Sequence, residues 1–235
     1  MPGVYSVAIP TEPTSKLFNQ LLPCIDEDRR ERIGRFWRPE DAWRSLLGEA
    51  LTRAAVVSAT GASNDSLSLR RDHRGKPSVR GGDDSFLSIS HSGELVVCVF
   101  DTCPVGIDVE EIVPVGEESA SVVLSPGERS IILPEVREER LASFFELWTM
   151  KESYSKVSGS GHQIAFDSFS IANEHGAYAI VHANATPEEA FFQFVPIRPD
   201  YLAAVCSLSH PLNLELHTMS VEEIADTLLA KTQHV

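Results

Sequence analysis

The sequence has no run of eighteen or more apolar residues, which is the length that a membrane-spanning helix requires. Its first residues, MPGVYSVAIPTEP, lack the basic stretch and apolar core of a secretory signal. The four cysteines show no CxxC spacing and are too sparse for a disulfide scaffold. We therefore expect a cytoplasmic protein with reduced cysteines and no association with a membrane.

Basic residues are also scarce, since 20 Lys and Arg stand against 34 Asp and Glu and give a net charge of −14. This balance argues against a general nucleic-acid binder, which needs clustered positive charge. Through residue 105 the chain carries 13 basic and 14 acidic residues, and the remainder carries 7 and 20. The asymmetry indicates that the first half holds an anionic ligand while the second supplies carboxylates, although solvation alone explains it equally well.

One amphipathic helix is predicted over residues 138–158, which contain no Gly or Pro and space their apolar residues by three or four. On this helix Trp148, Glu152 and Lys156 are four residues apart and share one face. An aromatic ring, a carboxylate and an ammonium on one face are unusual for a core helix. The segment is therefore a candidate for part of a functional site.

The segment GIDVE (106–110) continues the alternation of a strand, so Asp108 and Glu110 point to the same side. If this strand meets the helix, Asp108, Glu110 and Glu152 converge. Three carboxylates close together repel one another, and this repulsion raises their pKa values unless a hard divalent cation is bound between them. Magnesium is the natural candidate for that cation. The alternative is a solvated strand end and a surface ion pair between Glu152 and Lys156 that stabilises the fold by about 0.5 kcal/mol.

Three further helices are predicted from the residues at their ends. Pro39 opens a core helix to Ala59 that Gly61 closes. Capping boxes predict helices that start after Ser125 and Ser220. Leu133-Pro134 is expected to end the first of these helices, and residues 113–123 are expected to form a mobile connection.

GIDVE and WTMKESYSK together resemble the paired signature of the 4'-phosphopantetheinyl transferases, specifically the surfactin-synthetase-activating (Sfp) type. Further segments are similar to that family in the same order, and the resemblance extends from about Ile25 to Cys206. These segments are RFWRPEDAWRSLLGE (35–49), RGKP (74–77), FLSISHSG (86–93) and FDSFS (166–170).

The resemblance implies an α+β fold of two similar subdomains related by a pseudo-twofold, with the active site in the cleft between them. Residues 1–105 would form the subdomain that contacts the phosphates and nucleotide of coenzyme A. Residues 106–235 would carry the magnesium-binding carboxylates and the signature helix. Such an enzyme moves the 4'-phosphopantetheine group from coenzyme A to a serine of an apo acyl or peptidyl carrier protein, releasing adenosine 3',5'-bisphosphate.

The resemblance also implies roles for single residues. Asp108, Glu110 and Glu152 would hold magnesium on the pyrophosphate, so Asp108 also belongs to the catalytic set. Glu152 is our choice for the base that accepts the serine proton, directly or through water, and Lys156 would stabilise the charge on the phosphate. The residues expected to contact coenzyme A are Arg29 and Arg32 near its 3'-phosphate, Lys76, His91, Lys151 at the periphery and Lys156. Arg44, on the core helix, is a further possible contact.

The resemblance implies that the partners are coenzyme A and apo acyl or peptidyl carrier domains of nonribosomal peptide or polyketide synthesis. Carrier proteins of this class are acidic, so we expect contact through apolar side chains or through arginines of the first half. One chain suffices for such a cleft, so a monomer is expected. Two alternatives stay open on the chemistry alone: a magnesium-dependent phosphohydrolase, and a non-catalytic domain that binds nucleotide or carrier.

Overall fold

The computed structural model describes residues 2–10, 15–71, 77–80, 85–137, 141–158, 164–183 and 185–230. Helices and mostly antiparallel sheets alternate along the chain, which confirms the predicted α+β class. In chain order the elements are β1 (Gly3–Ala8), α1 (Ser15–Leu21), α2 (Glu27–Ile33), α3 (Pro39–Thr60), β2 (Ser68–Arg71), β3 (Pro77–Arg80), β4 (Phe86–Ser92), β5 (Leu95–Asp101), β6 (Val105–Glu111), α4 (Glu117–Ser121), α5 (Pro126–Arg137), α6 (Ala142–Val157), β7 (Phe169–Glu174), β8 (Ala177–His182), β9 (Glu188–Phe194), β10 (Tyr201–Ser207), β11 (Leu216–Thr218) and α7 (Val221–Leu229).

Two compact units divide these elements. The first comprises Met1–Cys103 and Leu214–Val235, and the second comprises Pro104–Asn213. The predicted division at residue 105 therefore misplaced the last segment of the chain. That segment belongs to the first unit because β11 pairs in parallel with β1, and because α7 packs on α3. The pseudo-twofold relation and the cleft stay predictions.

The first unit is built around α3. Its sheet has the order β11-β1-β5-β4, and a separate hairpin joins β2 and β3. One side of α3 buries apolar residues such as Leu47 and Leu51 against Val96 and Phe100 of β5, and Ile224 of α7 closes the same cluster. Gly61 caps α3 at a φ of 73°, as predicted from the sequence.

The second unit is a five-stranded sheet of order β6-β10-β9-β8-β7 with α6 packed on it. β10 pairs antiparallel with β6, so that Ala204 faces Asp108 and Leu202 faces Glu110. Phe144 and Phe145 of α6 are buried in the core. This arrangement places the two signature segments, β6 and α6, in one unit.

Two element predictions in this unit are wrong. α5 does not end at Leu133 but continues through Pro134 to Arg137, because Leu133 and Val136 pack into the core and hold the helix despite the lost hydrogen bond. The expected mobile connection contains α4, whose Ala120 is fully buried. Burial of a small residue is a tertiary effect that local patterning does not show.

No helix in the described part of the chain is both long and apolar enough to cross a membrane.

Candidate active site

The backbone of α6 passes directly over Gly106 at the start of β6. A Cβ atom at residue 106 would overlap the Ser153 carbonyl oxygen and lie 2.7 Å from the Val157 nitrogen. Only a residue without a side chain permits this approach. Since β6 begins at Val105 and α6 ends at Val157, the contact lays the last turns of the helix over the start of the strand.

This close packing joins the two signature segments by an ion pair. Lys156 Nζ lies 2.8 Å from Asp108 Oδ1 and donates a second hydrogen bond to the Ile107 carbonyl oxygen at 2.9 Å. The Asp108 side chain is 4% exposed and that of Lys156 is 26% exposed, so the carboxylate is buried while part of the lysine side chain reaches the surface. The pair brings together two of the predicted site residues, although the sequence did not predict this contact between them.

Glu110 and Glu152 are the other two predicted metal ligands, and both are half-buried. Glu110 follows Asp108 by two residues on the same face of β6, and Glu152 precedes Lys156 by one turn on α6. Carboxylate oxygens are the donors that Mg²⁺ prefers, so the chemistry of this donor set suits magnesium. In the described ranges, however, no three His, Cys, Asp or Glu side chains form a group that could hold a metal ion. Convergence of all three stays a prediction.

Trp148 is half-buried and belongs to an aromatic cluster. Its ring stacks on Phe145, with centroids 5.7 Å apart and an interplanar angle of 5°, and meets Phe144 edge to face at 5.3 Å. These contacts fix one side of the indole to the core of α6. The indole is thereby held in one orientation on the helix that also carries Glu152 and Lys156.

The structure contradicts the prediction that Lys151 contacts a phosphate. Its side chain is fully buried, and Nζ lies 2.6 Å from Glu128 Oε2. Nζ also donates to the carbonyl oxygens of Val123, Phe166 and Phe169 at 2.8–2.9 Å. Burial lowers the pKa of this ammonium and the adjacent Glu128 opposes the shift. With these acceptors and no exposure, Lys151 connects α6 to three other segments rather than to a ligand.

In the first unit, Arg44 of α3 contacts the hairpin between β4 and β5, which carries His91. Arg44 Nε donates to the Gly93 carbonyl oxygen at 3.1 Å, and its Nη1 lies 2.9 Å from Asp41. Gly93 has a φ of 51° in the turn between β4 and β5, two residues after the exposed His91. Two predicted coenzyme A contacts are thus brought to the same end of the sheet.

The remaining predicted contacts lie around α2 and the β2–β3 hairpin. Arg32 is exposed on α2, and the neighbouring Arg29 is 17% exposed and forms an ion pair with Glu49. Lys76 lies outside the described residues. It directly precedes Pro77, which pairs with Arg71 across the hairpin.

Sequence reasoning missed the roles of two acids that are mostly enclosed by the fold. Glu128 completes the capping box that begins at Ser125, because it accepts a hydrogen bond from the Ser125 nitrogen at 2.7 Å, but the sequence pattern does not show its pairing with Lys151. Glu49, on α3, is 3% exposed and is approached by three arginines. For Glu49 the available signal was Arg53, which follows it by four residues on the same helix. For Glu128 the signal was its partner Lys151, a charged residue within the apolar stripe of α6.

Comparison with known families matches both units. A family model described as "4'-phosphopantetheinyl transferase, N-terminal" covers residues 11–102, and one described as "4'-phosphopantetheinyl transferase superfamily" covers residues 104–206. The boundary between the two models falls at the boundary between the compact units.

Single relatives are similar over most of the chain. The 4'-phosphopantetheinyl transferase Sfp of Bacillus subtilis (strain 168) is 30% identical over 87% of this chain and 92% of its own length. A second 4'-phosphopantetheinyl transferase of Bacillus subtilis is 32% identical over 82% of this chain and 86% of its own. The 4'-phosphopantetheinyl transferase gsp of Aneurinibacillus migulanus is 31% identical over 96% of this chain and 94% of its own.

Proposed function

Because the chain belongs to the 4'-phosphopantetheinyl transferase superfamily, we propose that Asp108, Glu110, Glu152 and Lys156 carry out the transfer in this protein. The reaction moves the phosphopantetheine group of coenzyme A to a serine of an apo carrier protein. The observation that supports these residues is the ion pair between Lys156 and Asp108, which joins β6 and α6 at 2.8 Å.

The reaction is a displacement at the β-phosphorus of coenzyme A. The serine oxygen forms a bond to that phosphorus, the bond to the oxygen of the leaving adenosine 3',5'-bisphosphate breaks, and the serine proton is taken up by Glu152, directly or through water. Lys156 stabilises the negative charge that shifts onto the phosphate oxygens, and its bonds to Ile107 and Asp108 hold the ammonium in place.

Magnesium is the expected metal, with Asp108, Glu110 and Glu152 as its ligands. When bound, it neutralises charge on the pyrophosphate. The buried Asp108 and the half-buried Glu110 offer carboxylate oxygens from one face of β6, and α6 supplies the third. In the first unit, Arg44, His91, Arg29, Arg32 and Lys76 are proposed to bind coenzyme A.

The acceptor is proposed to be a carrier of nonribosomal peptide or polyketide synthesis, because the similarity to an Sfp-type enzyme spans 87% of the chain. We place the reaction in the cytoplasm and expect a monomeric enzyme. The matching family models and relatives give no support to the alternatives, a magnesium-dependent phosphohydrolase or a non-catalytic binding domain.

The test is intact-mass spectrometry of a purified apo carrier after incubation with the protein, coenzyme A and magnesium. We expect a mass gain of one phosphopantetheine, about 340 Da, that a chelator abolishes. Glu152→Ala is expected to lower the initial rate at least about 100-fold, because it removes both the base and a metal ligand. Glu146→Ala, at an exposed position of the same helix, is the matched control and should retain the wild-type rate.

If several unrelated apo carriers gain no mass while coenzyme A is bound or cleaved, the transferase assignment fails. Cleavage without transfer would then favour a hydrolase, and binding alone would favour a non-catalytic domain.

Trp37 is proposed to contact the carrier. It is 96% exposed and follows Phe36, which is 39% exposed, in the connection between α2 and α3. A large exposed aromatic residue is a typical anchor of a protein interface. We expect Trp37→Ala to raise KM for the carrier about tenfold while KM for coenzyme A and kcat stay within twofold.

Leu229→Ala is the control for this prediction, because Leu229 is a 51% exposed apolar residue of the same unit. Trp37 does not contact the carrier if Trp37→Ala leaves KM for the carrier unchanged. The same conclusion follows if Leu229→Ala raises that KM by an equal factor.

A further inference from the structure

Tyr154 of α6 carries a hydroxyl group that joins three elements of the second unit. The residue is 4% exposed, and its ring packs against Phe169 of β7 with the centroids 5.3 Å apart. The hydroxyl donates a hydrogen bond to Glu188 Oε2 of β9 at 3.1 Å. It also lies 3.3 Å from His182 Nε2 of β8. The side chain of Tyr154 therefore attaches α6 to the sheet through polar contacts as well as through packing.

The direction of these hydrogen bonds follows from the phenol proton. Burial, together with the negative charge of Glu188 and the hydrogen bond to it, raises the pKa of Tyr154 to about 12. The phenol thus keeps its proton near neutral pH and donates it to Glu188. Its oxygen then accepts from His182, whose compatible tautomer carries a proton on Nε2. The three side chains form a continuous chain of hydrogen bonds from β8 through α6 to β9.

Tyr154 lies at the end of α6, among the residues that contact β6. Ser153 precedes it and places its carbonyl oxygen against Gly106, and Lys156 follows it by two residues and pairs with Asp108. Helix ends open readily, because their last carbonyl groups lack partners within the helix. Ser153 and Lys156 hold this end of the helix on β6. Tyr154 holds it on β8 and β9 as well.

We propose that Tyr154 is a positioning residue for the transfer reaction, whose hydroxyl, bound by His182 and Glu188, fixes the last turn of α6 and thereby the place of Lys156 against β6. The inference rests on the proposed function, in which Lys156 stabilises charge on the phosphate. Tyr154 acts through the helix and is not itself assigned a contact with the substrate. Its hydrogen bonds involve none of the proposed metal ligands, so they do not depend on how Asp108 is shared between Lys156 and a cation.

The first variant is Tyr154→Phe, which keeps the ring and its packing on Phe169 but removes the hydroxyl group. Under conditions in which the variants are fully folded, we expect kcat for carrier modification to fall about fivefold, an effect of the size that one hydrogen bond has. KM for coenzyme A and KM for the carrier should stay within twofold, because the displaced Lys156 acts in the chemical step.

Variants of Glu188 test whether the hydrogen bond itself is responsible. Glu188→Ala should lower kcat by the same factor as Tyr154→Phe. Glu188→Gln should keep most of the wild-type kcat, because the amide oxygen can still accept from the phenol. The double variant Tyr154→Phe with Glu188→Ala should be no slower than either single variant, since both changes remove the same contact.

Hydrogen exchange reports on the helix end independently of activity. The Ser158 amide donates to the Tyr154 carbonyl oxygen at 3.0 Å, so it is the last backbone hydrogen bond of α6. We expect this amide and that of Val157 to exchange about fivefold faster in Tyr154→Phe, because the last turn opens more often. Tyr178→Phe is the matched control, since Tyr178 lies on β8 of the same unit and packs its ring on Phe192. It should change neither kcat nor the exchange rates.

The inference is overturned if Tyr154→Phe leaves kcat within twofold of the wild-type value, or if Tyr178→Phe lowers kcat equally. It is also overturned if the effects of Tyr154→Phe and Glu188→Ala multiply in the double variant. Failure of the proposed function looks different, because the wild-type protein would then leave the carrier unmodified while the exchange rates could still be compared.

Discussion

Replacing Lys151 by Met is expected to lower the free energy of unfolding by about 3–5 kcal/mol, the usual result of removing one partner of a buried ion pair. The ammonium is fully buried between Glu128 and three carbonyl oxygens. Methionine fills a similar volume but donates no hydrogen bond. Glu128 would then be left without its cation, and the carbonyl oxygens of Val123, Phe166 and Phe169 would lose a buried donor.

Urea denaturation measures this effect. Glu146→Gln, on the exposed face of the same helix, should stay within about 0.5 kcal/mol of the wild-type protein. The double variant Lys151→Met with Glu128→Gln should recover part of the loss, since no uncompensated charge is then buried. A loss below about 1 kcal/mol in Lys151→Met, together with a raised KM for coenzyme A, would restore the phosphate-contact role that the structure contradicts.

Local patterns in the sequence predicted the elements of this site well. The spacing of apolar residues predicted α6, alternation predicted β6, and the capping box of Ser220 and Glu223 is present with both of its hydrogen bonds. Helix and strand periods also indicated which side chains share a face. Each of these features depends on residues that lie within about two helical turns of one another in the sequence, and hydrophobic patterns are informative over that distance.

Burial and long-range pairing were harder to predict. Lys151 was interpreted from its charge, although it occupies the same helical stripe as Phe144, Leu147 and Tyr154, all of them buried. A cation in an apolar stripe needs a buried acid, and Glu128 lies 23 residues earlier in the chain. The placement of the last segment failed for the same reason, because no local pattern shows that β11 pairs with β1.

Gly106→Ala is expected to have a comparable effect at the contact between the two signature segments. The added methyl group would overlap the Ser153 carbonyl oxygen and lie 2.7 Å from the Val157 nitrogen. Both are backbone atoms of a helix that is packed on the sheet, so no side-chain rotation relieves the overlap. α6 must move away from β6, and we expect the free energy of unfolding to fall by about 3 kcal/mol or more.

The same displacement should reduce activity beyond the loss of stability. Lys156 reaches Asp108 at 2.8 Å only because the helix lies this close to the strand. Under conditions in which the variant is fully folded, we expect carrier modification to slow at least about tenfold, since misplacement by about 1 Å has effects of this order or larger. Gly127→Ala is the matched control, because a Cβ there meets no atom within 4 Å. If Gly106→Ala were as stable and active as Gly127→Ala, the close approach of α6 to β6 would have no role in setting the site.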